Sequence, residues 1–223
     1  RTDKSRYIST VDALDLIQVL AALAVDGAIF VGQGYGGQVV MALAAERPNF
    51  VTGAVLVDAG PVSDPRGLVR LRNNLRDLEG NRSEAGFRTM ARRMLAPDYP
   101  AATEGLLDVL AARTHYLDKR NRVRALFDPH LTALLEAFEH DDILVPQWQL
   151  YEALANSPLL LMRTQLTEQV RRETFEEMLR RRRDAEGYVI EGTGSPALLN
   201  TAEDVGPIAE FVRGLLKRRA KAA

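Results

Sequence analysis

The residues from Ile29 to Gly37 run directly into a segment from Gln38 to Pro48. The order is an apolar run of strand length, a glycine turn, then a helical pattern stopped by proline. A second apolar run, Thr52 to Asp58, closes at Gly60 and Pro61. Strand, helix and strand at this spacing predict a right-handed parallel βαβ unit and therefore an α/β fold with a mostly parallel sheet.

The rest of the chain fills in around that unit. Val11, Leu14, Ile17, Leu20 and Leu23 give a helix over 10–24 with one buried face, and the two strands fall at 27–32 and 52–58. From Asp64 to about Asn156 the texture changes to helical segments near 65–79, 83–95, 101–116, 130–139 and 147–155, with no strand apparent. The α/β pattern then returns as a strand at 158–163, a helix at 169–183, a strand at 187–191 and a helix at 203–218. The division is core over 1–63, a helical insertion over 64–156 and core again over 157–223. The arginine run 180–183 and the basic tail 217–221 read as solvated helix surface.

Composition closes off several function classes. A net charge of −1 gives no global field toward nucleic acid or anionic lipid. With no cysteine there is no disulfide or thiolate chemistry, which fits a cytoplasmic protein. No apolar run approaches the roughly 20 residues that span a bilayer. The chain begins at Arg1 rather than methionine, so the natural N-terminus is expected to lie upstream. His115, His130 and His140 all fall in the helical segment, read as surface or helix-end histidines without metal-ligand spacing. No cofactor is expected. Trp148 and Tyr151, three apart, are expected to pack the insertion against the core.

Several landmarks together resemble the α/β-hydrolase family, and they span nearly the whole chain. Gly32-x-Gly34-x-Gly36 has the frame of its nucleophile elbow, G-x-S-x-G, with glycine at the centre. Arg1, Thr2 and Asp3 resemble the tail of its G-x-G-x-S-D loop. Val55 to Ala59 is similar to its sixth strand and Pro158 to Arg163 to its seventh. Gly192-Thr193-Gly194-Ser195-Pro196 resembles the loop G-x-G-H-x-P. The helical segment sits where the family's cap sits. Cap-bearing esterases and C–C bond hydrolases are the nearest in pattern. The resemblance implies strands five to eight only. The strand at 27–32 is then left as an apolar edge to be covered by missing N-terminal strands or a protein partner.

The resemblance also implies an altered triad. Gly34 stands at the nucleophile, Glu168 after the seventh strand at the acid, and Ser195 at the histidine. Glycine cannot attack a carbonyl, and serine is no base near neutral pH. The expected remainder is a pocket beyond the carboxyl ends of the strands, where Gly32, Gln33, Tyr35 and Asp58 would meet a small acyl-type ligand. There the backbone N–H of Tyr35 takes the oxyanion-donor position. Gly34 is expected to relax the strained elbow, leaving the fold unharmed.

Two other readings use the same residues. An active hydrolase with a rearranged site would use Glu168 or Asp58 with water and a cap histidine. Alternatively, Gly32-x-Gly34-x-x-Gly37 followed by Asp58, 21 residues on, matches a dinucleotide fingerprint.

Overall fold

The computed structural model describes residue 3, residues 6–81 and residues 83–222, and the βαβ unit is present in it. Arg1 and Thr2, part of the loop compared above, lie outside the described residues. Helix α1 (Ser9–Ala22) precedes strand β1 (Ala28–Gln33), helix α2 (Tyr35–Glu46) and strand β2 (Val51–Val57). β1 and β2 pair in parallel, from Ala28 opposite Val51 to Gln33 opposite Val57. After the insertion come β5 (Leu159–Thr164), α8 (Arg172–Arg181), β6 (Glu186–Ile190) and α9 (Ala202–Ala222). The sheet runs β1-β2-β5-β6, and every pairing in it is parallel.

A sheet covered on both faces explains why its strands read as continuous apolar runs. Alternate residues serve opposite layers. Ala54, Leu56, Leu159 and Leu161 pack with α1, α2 and α8. Val55, Val57, Leu160 and Met162 pack with Phe211 and Leu215 of α9. β1 lies at the sheet edge and pairs, among the described residues, with β2 alone; its Val31 is half exposed.

Between β2 and β5 the chain forms α3 (Pro65–Glu79), α4 (Glu84–Leu95), α5 (Glu104–Ala112), α6 (His130–Leu134) and α7 (Trp148–Glu152). Each of the first three begins on a side chain that accepts a backbone amide: Asp64 from Arg66, Ser83 from Gly86, Thr103 from Leu106. This region holds clusters of its own, one around Leu78, Phe87, Ala91, Ala111 and Val123.

Four expectations fail, three in this stretch and one at the end of α8. The helix over 101–116 stops at Ala112. An antiparallel hairpin, β3 (His115–Leu117) and β4 (Val123–Ala125), follows where no strand was expected. Its turn is organised by Asp118, whose carboxylate accepts the amides of Arg120 and Arg122, and by Asn121 at φ 53°. The other two concern the burial of a histidine and of an arginine. His115 is buried between Phe87 and Phe127 rather than lying at the surface. In the run 180–183, Arg182 is buried and donates to the carbonyls of Leu154 and Ser157, while Arg181 stacks 3.9 Å over Trp148. Tyr151 is fully buried and donates to Met178, a packing role as expected.

Candidate active site

Gly34 links β1 to α2 at φ 51° and ψ −119°, a bend that an L side chain rarely adopts. Its amide donates to Val57 O, which ties the turn to the next strand. The bend needs neighbours that let helix and strand approach. A Cβ on Gly32 would lie 2.7 Å from the backbone of Gly36 and Gly37, and one on Gly37 would collide with Ala59. Both glycines are therefore explained by helix-on-strand packing. A Cβ on Gly34 would meet only Gln169 Oε1, at 3.0 Å. The carboxamide of Gln169 sits where a nucleophile's side chain would project.

Ser195 follows Gly194 in the loop after β6. Its hydroxyl is buried. The carboxylate beside it is Asp58, whose charged form the hydroxyl favours. Asp58, at the end of β2, is 2 % exposed and accepts from Thr164 N and Oγ1, both at 2.8 Å. Burial raises its pKa, and the bonds from Thr164 oppose that rise. Both Asp58 oxygens are thus engaged inside the protein. A ribose contact of the dinucleotide kind finds no carboxylate presented there.

Glu168 is half exposed and lies 2.6 Å from Arg70 Nε on α3. The same guanidinium reaches Asp98 Oδ1 at 3.1 Å. Burial raises the Asp98 pKa; Arg70 pulls it down and Glu168 adds to the rise. Asp98 also accepts the Gly194 amide through its backbone carbonyl, and Tyr99 donates to Pro196 O at 2.5 Å. A Cβ on Gly194 would run into Asp98. The insertion is thereby seated on the loop that carries Ser195.

A cavity of about 470 Å³ lies between these parts, within the range of small-molecule sites. Gln33, Glu168, Gln169 and Ser195 line its sheet end, with Arg70 and Asp98. Gln33 Nε2 donates to Ala197 O. Leucines, alanine and methionine of α3, α4 and α5 line the other end. Of the residues anticipated from sequence, the fold therefore brings Gln33, Glu168 and Ser195 to one cavity, with Asp58 behind Ser195. Gly32 serves packing. The Tyr35 side chain is exposed, donates to Asp12 Oδ2 at 2.5 Å and borders a different cleft. Arg70, Asp98, Tyr99 and Gln169 were not anticipated. No motif marks the first three, which sit on the insertion. Gln169 follows Glu168 directly, and its neighbour alone pointed to it. No histidine lines the cavity, and no cluster of metal-binding side chains occurs among the described residues. No helix among them is long and apolar enough to cross a membrane.

Comparisons with known proteins agree with this fold. The model of the alpha/beta hydrolase family matches residues 3–207. The chain is 29% identical over 159 residues to "Putative carbamate hydrolase RutD" of Serratia proteamaculans (strain 568), covering 65% of this chain and 59% of that protein. The chain thus spans less than two thirds of this curated relative's length. Among solved structures, an alpha/beta hydrolase from Novosphingobium aromaticivorans DSM 12444 superposes with a TM-score of 0.81 at 25% identity, over 96% of this chain and 74% of that one. E-2-(acetamidomethylene)succinate hydrolase superposes at 0.69 with 19% identity, over 96% and 74%.

Proposed function

Since the chain belongs to the alpha/beta hydrolase family, we propose that it is a ligand-binding member whose serine–histidine chemistry has been lost. The carrying observation is Gly34, which holds the elbow conformation with no side chain to attack a carbonyl. Ser195 adds to it, because a serine cannot take a proton from a nucleophile near neutral pH. The residues 64–156 act as a cap over the cavity, and the cavity keeps a ligand-binding role for a small molecule with an acyl-like apolar part. The half-exposed edge at β1 is the place where further strands of the polypeptide or a partner would pair.

The rearranged-hydrolase reading finds less support. Asp58 is committed to Thr164, Glu168 is ion-paired with Arg70, and no histidine borders the cavity. Carbamate hydrolysis, the activity in the name of the Serratia relative, would need that same missing machinery to be replaced.

A hydrolysis assay with short and medium p-nitrophenyl esters tests the proposal. The parent should be inert, and Gly34→Ser/Ser195→His should turn over substrate. In that background Asp58→Asn should abolish the gain, because Asp58 is the carboxylate beside position 195, while Glu168→Gln should not. Turnover by the parent that disappears in Glu168→Gln would overturn the proposal.

A further inference from the structure

The cavity has a direction. Along α3, Gly67 faces the backbone of Glu168, and Leu78, eleven residues on, belongs to the insertion's own apolar cluster. At 1.5 Å per residue these two lining residues stand ~16 Å apart. Arg70 lines the sheet end, while Leu71, Leu75 and Leu78 line the wall leading away from it. The shape suits a chain-like molecule with its polar group beside Arg70 and its apolar part between the cap helices.

Charge decides which polar group. The Arg70 guanidinium is shared by Asp98 and Glu168, so one positive charge faces two carboxylates. The Asp98 side chain is only 10% exposed. Asp58 adds a third carboxylate behind Ser195, opposed by Arg163, whose guanidinium already donates to three carbonyls. The cations nearby are otherwise engaged or solvated. Arg66 and Arg171 are exposed and bound to Asp64, with Arg66 also close enough to feel the Glu168 charge; Arg113 lines the cavity but is exposed to solvent. The buried Ser195 hydroxyl, beside Asp58, adds a neutral polar group at this end.

From the shared Arg70, its two carboxylates and the apolar channel beyond them, we propose that the cavity takes a linear amphiphile with an ammonium head and discriminates against a free carboxylate. This rests on the ligand-binding reading above and names the chemistry of that same site. The ammonium completes the charge of the Asp98–Arg70–Glu168 cluster. A carboxylate would be a third negative group against Asp98 and Glu168 in a partly desolvated site.

Calorimetric titration of the full chain with decylamine, decanol and decanoate at neutral pH tests this. Decylamine is expected to bind about tenfold or more tightly than decanoate, with decanol between them. Glu168→Gln, at a half-exposed position, should shrink that ratio, and Asp98→Asn/Glu168→Gln should bring decylamine to within about threefold of decanol. Leu75→Trp, which fills the channel, should abolish binding of all three. Decanoate binding as tightly as decylamine, the result that Arg113 or the Arg66 rim would give, overturns the head-group assignment while leaving the ligand-binding reading intact. An unchanged ratio in the double variant does the same. Binding that persists in Leu75→Trp places the amphiphile elsewhere and removes the proposal. If none of the three binds, decanol included, the ligand-binding reading falls and this inference with it.

Discussion

The elbow at Gly34 and the loop at Gly192–Pro196 meet at one site but are held by different forces. The elbow is built from within the sheet core. Gly32 and Gly37 let α2 lie against β1, and the Gly34 amide is tied to Val57. The loop is built from outside, by contacts with the insertion: Gly194 to the Asp98 carbonyl, Tyr99 to the Pro196 carbonyl. The elbow can therefore hold its bend with no side chain at position 34, because packing maintains that geometry. The loop is maintained by whatever keeps the insertion over the cavity. On the proposed ligand-binding reading, the cavity rather than the chemistry is what the two regions share.

The largest effects should separate these two supports. Gly37→Val should destabilise the fold by about 3 kcal/mol, since its side chain collides with Ala59 in a packed core. Gly36→Ala, one residue away with nothing near its Cβ, should be neutral or stabilise by up to about 1 kcal/mol. Urea unfolding reads both, and equal outcomes would remove the core-packing explanation of the elbow. Next in size, Gly34→Ala should cost about 1–3 kcal/mol, because an L residue is strained at φ 51°. Gly194→Ala should cost about 1–2 kcal/mol and, unlike the elbow variants, should also loosen ligand binding, because it pushes Asp98 and the insertion away. A Gly194→Ala protein that binds decylamine with parental affinity would show that the insertion's seat on this loop does not shape the cavity.

The same division sets what could be read in the sequence. The core was legible because β2 and β5 are buried on both faces and read as continuous apolar runs, and because Pro48 and Gly60 mark where elements stop. The site was half legible. Gly34, Glu168 and Ser195 were found through the resemblance to the family's motifs, but which carboxylate faces Ser195 depends on how β2 and β5 end side by side. That placed Asp58 there and turned Glu168 to Arg70. The insertion was least legible. Arg70, Asp98 and Tyr99 act through contacts with Glu168, Gly194 and Pro196, each nearly a hundred positions away in sequence, which no local pattern records. The hairpin was hidden because its strands are three residues each, and its turn depends on Asp118 capturing two amides.

A smaller effect isolates the insertion's seat from its own interior. Tyr99→Phe removes the hydroxyl that donates to Pro196 and should cost about 1 kcal/mol. Because the ring stays in place, ligand affinity should fall less than in Gly194→Ala. A Tyr99→Phe protein as unstable as Gly194→Ala would mean that the hydroxyl, not the backbone approach at Asp98, carries the seat.

The smallest effect belongs to His115, inside the insertion and remote from the elbow. Its ring is buried, Nδ1 meets Thr114 Oγ1 at 2.9 Å, and Nε2 has no partner. Desolvation lowers its pKa below the ordinary histidine value. The unfolded chain then binds the proton more readily than the folded one. Stability from this group is complete above the ordinary histidine pKa, near 6.5, and is lost as pH falls toward the folded value. Glu84, Arg88 and Asp108 border the same small cleft, but Arg88 is paired with both acids, so the cluster supplies no free carboxylate to hold a protonated ring. Thermal unfolding should therefore show a modest loss, on the order of 1 kcal/mol or less, between pH 7 and pH 5. That slope should vanish in His115→Phe, while the pH dependence of Gly34→Ala should match the parent's. A slope that survives in His115→Phe would assign it to groups outside the hairpin, and the insertion's interior would no longer be the acid-sensitive half of the molecule.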